Sequence, residues 1–237
     1  MNKELMALYI TAASIGFFHT LLGPDHYLPF IVMGKARDWS MAKTAFITIL
    51  CGLGHVLSSV VLGAIGILLG IGVMKLEALE SMRGNLAGWA LISFGFAYFI
   101  WGVRMMIKNK PHKHAHIHQE RDDHNHLHGH TEEHAHVHAR GGKVNITPWI
   151  LFTIFILGPC EPLIPVLMYP AAKMSIPGII GVALIFSSVT IVTMTTIVLL
   201  SSVGVSLIPM SRLERYSHVL AGATIFICGV AIQFLGV

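Results

Sequence analysis

The apolar segment near the amino terminus contains the sequence HTLLGPDH, residues 19–26. A shift of 135 residues places Leu22–His26 on Leu157–Glu161, so that LGPDH aligns with LGPCE. The shared Gly-Pro step matters because proline has no N–H to donate and its ring clashes with the preceding helical turn. We therefore expect the helix that carries each sequence to break or kink at this step.

The composition around these two sequences is that of a membrane protein. The chain has 237 residues, of which 54% are hydrophobic and 12% are charged, whereas a soluble domain carries about 25% charged residues. This composition excludes an ordinary soluble enzyme and a disordered protein. Basic residues flank apolar runs, which indicates membrane topology and not a nucleic-acid partner. Six apolar segments are long enough to span a bilayer: residues 6–33, 44–73, 85–107, 148–171, 177–208 and 217–237.

The two halves of the chain match beyond the Gly-Pro steps. A shift of 134 residues places Gly88 on Gly222 and Gly95 on Gly229. The shared order and nearly constant offset of the matches predict a duplicated unit of three spans. Because three is odd, the second copy crosses the membrane in the opposite sense, as in many secondary transporters. The predicted fold is an all-α membrane protein with six transmembrane helices in a 3+3 inverted repeat, whose first and fourth helices are broken.

Three regions follow from this pattern. Residues 1–107 form the first three-helix repeat, residues 108–147 a polar, histidine-rich loop, and residues 148–237 the second three-helix repeat. The loop has too few apolar residues to fold alone, so we expect it to be disordered without a ligand.

The loop holds eleven of the fifteen histidines of the chain. A flexible chain of imidazoles and carboxylates can wrap a divalent metal ion, with weaker binding as the pH falls because only neutral imidazole coordinates. We expect metal binding here, with the role of sensor, buffer or delivery arm left open. The histidines are His112, His114, His116, His118, His124, His126, His128, His130, His134, His136 and His138.

Lysines and arginines predict the orientation. The loops after spans one, three and five hold twelve of them, and the other side holds four: Lys3, Lys75, Arg83 and Lys173. The positive-inside rule therefore predicts a multi-pass protein of the cell (inner) membrane with its histidine-rich loop in the cytoplasm.

Four residues of the first repeat form a candidate metal site: His19, Asp25, His26 and His55. His19 and His26 are two helical turns apart, and the break between them can bring Asp25 beside the imidazoles. Imidazole suits nickel, cobalt, zinc and copper, and ionisable groups at membrane depth often mark a substrate path. The alternatives are a hydrogen-bonded His–Asp pair that stabilises a kinked helix, and a His55 satisfied by a neighbouring carbonyl.

The second repeat offers Cys160 and Glu161 at its own break. Pro159 and Pro162 should keep these residues non-helical, and a thiolate and a carboxylate would complete a mixed metal site with the first repeat. The alternatives are a cysteine that is simply a small buried residue and a glutamate that is a structural partner of a histidine.

The sequence HTLLGPDH (residues 19–26), followed by Gly54-His55, resembles the NicO and UreH-like group of nickel/cobalt transporters, within the wider LysE-type superfamily. The resemblance covers both transmembrane halves, and the histidine-rich loop is similar to that of the efflux branch. It implies six spans, nickel or cobalt as cargo, and a first-span site at His19, Asp25 and His26. The classical permeases have one residue fewer within this motif and more spans, so the direction of transport is not implied.

The leading hypothesis is a secondary transporter of divalent transition metal ions, most suited to Ni²⁺ or Co²⁺ with Zn²⁺ also open, that works by alternating access. No P-loop sequence indicates ATP hydrolysis, and we expect neither enzyme activity nor a catalytic cofactor. The expected partners are the metal ion and the lipid bilayer, with homo-oligomers left open. The proposed metal ligands are His19, Asp25, His26, His55, Cys160 and Glu161.

Two other functions remain as alternatives. A membrane thiol–disulfide electron carrier also has three-plus-three helices, but it needs a cysteine in each repeat. Asp25 stands at the position that matches Cys160, although Cys51 would be a substitute. A metal sensor or chaperone would use the histidine-rich loop alone.

Overall fold

The computed structural model describes residues 3–108, 112–113, 127–128, 146–207 and 216–235 of the chain. These residues are helical apart from turns and one antiparallel pair of two-residue strands. The elements are α1 (Lys3–Leu22), a 3₁₀ turn (Pro24–His26), α2 (Leu28–Ala36), α3 (Met41–Leu68), α4 (Val73–Lys108), β1 (His112–Lys113), β2 (Leu127–His128), α5 (Thr147–Leu157), α6 (Leu163–Ala172), α7 (Ile176–Leu207) and α8 (Ser217–Leu235). The expected disorder and metal binding of the histidine-rich loop fall mostly outside the described residues.

The helices have the length and composition of membrane spans. Within the described ranges, five are long and apolar enough to cross a bilayer, namely α1, α3, α4, α7 and α8. The shorter α5 and α6 follow each other within the fourth apolar segment. Large apolar side chains such as Leu22, Leu200 and Ile227 are exposed on the outside of the bundle, which suits contact with lipid. The prediction of an all-α, multi-pass membrane protein is confirmed at this level.

Both Gly-Pro steps interrupt a helix, as expected. α1 ends at Leu22, and the chain makes one 3₁₀ turn over Pro24–His26 before α2 begins. In the second half, α5 ends at Leu157, and α6 begins only at Leu163. The absent proline N–H explains both stops. Each break leaves main-chain groups free for other partners deep in the bundle.

The third apolar segment corresponds to a longer helix than predicted. α4 begins at Val73, not at residue 85, because residues 73–84 are mostly strong helix formers such as leucine, glutamate and methionine. Lys75 and Arg83, which were counted as loop charges, therefore lie within α4. Arg83 in particular belongs to the interior of the bundle, as described below.

α4 and α8 pack closely in antiparallel directions. A Cβ atom on Gly229 would lie 2.7 Å from the main-chain nitrogen of Ile92, and one on Gly222 would clash with the backbone of Phe99. Residue numbers therefore rise along α4 as they fall along α8. Glycine permits this approach because it has no side chain between the two backbones.

Short turns connect the helices at the two ends of the bundle. The hydroxyl of Ser40 caps α3 by accepting a hydrogen bond from the Lys43 N–H at 3.3 Å. The turn of residues 69–72 joins α3 to α4 and includes Gly70 at φ +65°, a conformation that favours glycine.

The helix bundle has two ends, the amino-terminal face and the insert face. At the amino-terminal face, Lys173 Nζ donates to Glu4 Oε2 at 2.9 Å, which joins the start of α1 to the end of α6. The insert face lies at the opposite end, where α4 ends at Lys108 and α5 begins at Thr147.

Two apolar cores lie inside the bundle, one toward each face. The core toward the insert face includes Phe30, Met33, Leu151, Phe155 and Met194. The core toward the amino-terminal face includes Ala12, Val56, Cys160, Leu163 and Phe186. The polar groups at the two helix breaks lie between these cores.

Candidate metal centre

Three histidines converge at the first helix break. His19 lies in the last turn of α1, His26 in the 3₁₀ turn, and His55 in the middle of α3. One ligand atom from each imidazole lies within 4.8 Å of the others, and His26 and His55 are each only 3% exposed. We call these residues the histidine triad. The helix break is what allows His26 to face His19, since their ring centroids are 4.8 Å apart and nearly perpendicular.

The Nε2 atoms of all three histidines are buried and have no hydrogen-bond partner in the described part of the chain. The Nδ1 atom of His55 lies 3.3 Å from the carbonyl oxygen of Phe155, and that of His26 lies 3.2 Å from the carbonyl oxygen of Gly23. Because a carbonyl oxygen only accepts, both contacts suit the tautomer with its proton on Nδ1, in which the Nε2 lone pair is left for a metal ion. Metal-bound histidines in proteins are usually oriented in this way.

The spacing of the triad suits a transition metal. Metal–nitrogen bonds of about 2.1 Å in tetrahedral geometry separate the nitrogens by about 3.4 Å. Small ring rotations close the difference from the upper limit of 4.8 Å. Three imidazoles leave one position open in a tetrahedral ion and three in an octahedral one. The centre can therefore hold a metal ion that still exchanges water or ligands on one side.

Asp25 supports the triad from beside it. Its Oδ1 atom lies 3.2 Å from Nδ1 of His26, and its side chain is 28% exposed. A carboxylate at this position orients the imidazole and supplies negative charge to a bound cation. Gly23 makes room for this pair, because a Cβ atom there would lie 2.5 Å from His26 Nδ1 and 2.9 Å from Asp25 Oδ1.

The two ligands expected from the second repeat lie outside the triad. Glu161 is exposed and lines a cavity of about 510 Å³ that also reaches Asp25 and His26. Cys160 is fully buried in the apolar core toward the amino-terminal face. The triad that the structure brings together thus comes from the first half of the chain, with Asp25 in contact with one of its members.

The second helix break has a polar anchor that the sequence analysis did not recognise. Arg83, from α4, donates from Nη2 to the carbonyl oxygens of Ile156 at 2.7 Å and Gly158 at 3.3 Å. These carbonyls belong to the end of α5, where helical partners are missing. Arg83 therefore caps the broken helix in the middle of the bundle.

Glu80 completes this anchor. Its Oε1 atom accepts from Arg83 Nη1 at 2.6 Å, and its Oε2 atom accepts from the N–H of Cys160 and the hydroxyl of Ser59, each at 3.1 Å. The carboxylate is fully buried, so these hydrogen bonds and the guanidinium offset its desolvation. The pair fixes the segment between α5 and α6 on both sides.

The Glu80–Arg83 anchor also orients the triad indirectly, through the main chain of α5. Arg83 binds the carbonyl oxygen of Ile156, and the preceding carbonyl, that of Phe155, holds Nδ1 of His55. The available signal was a glutamate and an arginine three residues apart, a spacing that places both on one face of a helix. Both residues precede residue 85, where the third span was predicted to begin, so they were assigned to a loop and not to a helix.

The three cysteines are not bonded to one another in the described residues. Cys51, Cys160 and Cys228 all lie in described ranges and are free and buried. Cys51 packs in the core toward the insert face and Cys160 in the core toward the amino-terminal face. No disulfide joins the two halves within the described residues.

Comparisons with known protein families, curated proteins and solved structures find no match to this chain. The relation to nickel/cobalt transporters expected from residues 19–26 and Gly54-His55 therefore stays a prediction. The geometry of the triad and its surroundings is the remaining evidence for a function.

Proposed function

We propose that the protein is a secondary transporter of divalent transition metal ions, most suited to Ni²⁺ or Co²⁺, with the histidine triad as its transport site. The observation that carries this proposal is the convergence of three histidines, each with a ring nitrogen within 4.8 Å of the others and with a buried Nε2 atom that has no hydrogen-bond partner among the described residues. Leaving a buried polar atom unpaired costs about 1–3 kcal/mol. A bound metal ion would satisfy all three nitrogens at once.

The surroundings of the triad favour cargo over a resident structural metal. A structural zinc site is typically closed by four protein ligands, whereas the triad offers three. The cavity of about 510 Å³ beside His19 and His26 leaves room for water on the open side of the ion. Asp25 contributes a negative charge, which reduces the cost of holding a cation at membrane depth.

We further propose a 3+3 inverted repeat with alternating access between the halves. Three features support it: both breaks occur at corresponding Gly-Pro steps, α4 and α8 pack antiparallel, and Gly95 and Gly229 occupy equivalent positions at that contact. An inverted repeat requires corresponding helices to run in opposite directions. The proposed location is the cell membrane, with the insert face toward the cytoplasm, on the basis of the count of basic residues.

Metal flux through liposomes that contain the purified protein tests the proposal. Wild type should carry Ni²⁺ or Co²⁺, and His55→Ala should lose the flux because one of three ligands is missing. His218→Ala is the control, since His218 lies at the start of α8 and contacts the hydroxyl of Tyr98 at 3.0 Å and not the triad. Measurements with and without a proton gradient identify the coupling ion. Equal flux through His55→Ala and wild type would contradict the proposal.

A further inference from the structure

The cavity beside the triad continues into a second cavity. The first, of about 510 Å³, is lined by His26, Asp25, Ser81 and Glu161, among others. The second, of about 550 Å³, shares Ser81 and Glu161 with it and adds Glu77. The two cavities therefore adjoin at Ser81 and Glu161, and together their linings extend from Glu77 to the triad. We call this pair of cavities the route.

This route opens at the amino-terminal face. Glu77 lies near the start of α4, directly after the turn of residues 69–72 that ends α3. On the other side of the triad, the rings of Phe30 and Phe155 are 4.6 Å apart, and Phe30 is fully buried. This aromatic contact belongs to the apolar core toward the insert face. The larger cavities at the triad thus adjoin the start of α4, whereas Phe30 and Phe155 pack together in the core toward the insert face.

The route carries negative charge along its length. Glu77, Glu161 and Asp25 line it in succession, while the nearby guanidinium of Arg83 is balanced by Glu80 at 2.6 Å. At its inner end lies His26, which is only 3% exposed. The Nε2 atom of His26 has no hydrogen-bond partner among the described residues. Acidic walls around a cleft focus the field and raise the local concentration of cations.

We propose that Glu161 is the outer carboxylate that receives a hydrated divalent cation from the amino-terminal face and passes it inward to Asp25 and the triad. This inference rests on the proposed function, because it needs the triad to bind the ion. It assigns Glu161 a role in access and not in the final coordination shell. The sidedness of the route and the role of its carboxylate can be tested separately.

Cysteine labelling tests the sidedness without measuring transport. Ser81→Cys lies on the wall shared by both cavities, and Ser202→Cys, the matched control, lines a cavity of about 350 Å³ near Ser40 at the insert face. Glu4→Cys marks which preparation, intact cells or inverted vesicles, exposes the amino-terminal face. A membrane-impermeant maleimide should label Ser81→Cys in the same preparation as Glu4→Cys, and Ni²⁺ should slow that labelling.

The labelling outcomes are decisive in either direction. Reaction of Ser81→Cys from the insert face, or from neither face, would overturn the route. Reaction of Ser202→Cys only in the opposite preparation confirms that the reagent does not cross the membrane. Wild type supplies the background, since its three cysteines are buried. A protein that transports no metal would refute the proposed function but would leave the labelling result readable.

Flux measurements test the carboxylate itself. Glu161→Gln should lower Ni²⁺ flux at subsaturating metal by about 3- to 10-fold, with the maximal flux unchanged, because it weakens attraction along the route and leaves the triad intact. Glu4→Gln is the matched control, because Glu4 is an exposed carboxylate on the same face but pairs with Lys173 outside the route. Equal behaviour of the two variants would overturn the assignment. Loss of maximal flux, as expected for His26→Ala, would instead make Glu161 a ligand and overturn it as well.

Discussion

Asp25 provides the sharpest test of the site, because the structure assigns it one specific contact. Its Oδ1 atom lies 3.2 Å from Nδ1 of His26, and the carbonyl oxygen of Gly23 lies at the same distance from that nitrogen. Asp25→Asn keeps an oxygen acceptor but removes the charge, and Asp25→Ala removes both. The Gly23 carbonyl remains in either variant and preserves the proton on Nδ1. The two variants therefore separate charge from orientation.

The expected loss of affinity follows from this contact. Removing a partner that orients a metal-bound histidine weakens metal binding by about 10- to 100-fold. That range corresponds to about 1.4–2.7 kcal/mol. Because the Gly23 carbonyl still orients the His26 ring, we expect Asp25→Asn to lower metal affinity by about 10-fold. Asp25→Ala should bind the metal more weakly than Asp25→Asn. His26→Ala, which removes a ligand outright, should lose more than either.

Isothermal titration of purified protein with Ni²⁺ and Co²⁺ measures these differences. Each variant is titrated in the full chain and in a chain without residues 112–138, since the eleven histidines of the insert would otherwise dominate the heat. Unchanged affinity in both Asp25 variants would refute its role beside His26. A loss as complete as that of His26→Ala would show that Asp25 binds the metal directly.

Three further predictions concern packing, the anchor and the insert. Gly95→Ala should destabilise the protein by about 1–3 kcal/mol, seen as a lower melting temperature in detergent, because the added Cβ meets the main chain of α8; Gly204→Ala, which meets nothing within 4 Å, should not. Arg83→Gln should cost roughly 3–5 kcal/mol by leaving the buried Glu80 unpaired, and the added change Glu80→Gln should recover part of that loss in the same assay. Deletion of residues 112–138 should leave metal flux through liposomes largely intact, whereas loss of all flux would point to the insert as the functional part of the chain.

The proximity of the residues at the first helix break follows from local sequence. His19, Asp25 and His26 lie within eight residues, so a single helix break accounts for their proximity. The Gly-Pro step signals that break through the chemistry of proline alone. His55 was a candidate because of its residue type and depth, but its approach to the other two depends on the packing of α3, which spacing does not encode.

The second half was harder to predict because its contacts are made by main-chain atoms. Cys160 and Glu161 were expected to mirror Asp25 and His26 at the metal. In the structure, the Cys160 N–H binds Glu80, and Glu161 lines the cavity that also reaches Asp25 and His26. An N–H group is present at every residue except proline, so a sequence does not reveal which one an acid 80 positions away will bind.

The origin of the three imidazoles has a mechanical consequence. All of them come from the amino-terminal half of the chain, on α1, the 3₁₀ turn and α3. A rigid displacement between the halves would leave every nitrogen–metal bond unbroken and would exchange only the wall that the ion faces. The ion would then stay bound to one half throughout the movement. The main energy barrier would be the separation of apolar surfaces, such as Phe30 from Phe155, and not the loss of metal ligands.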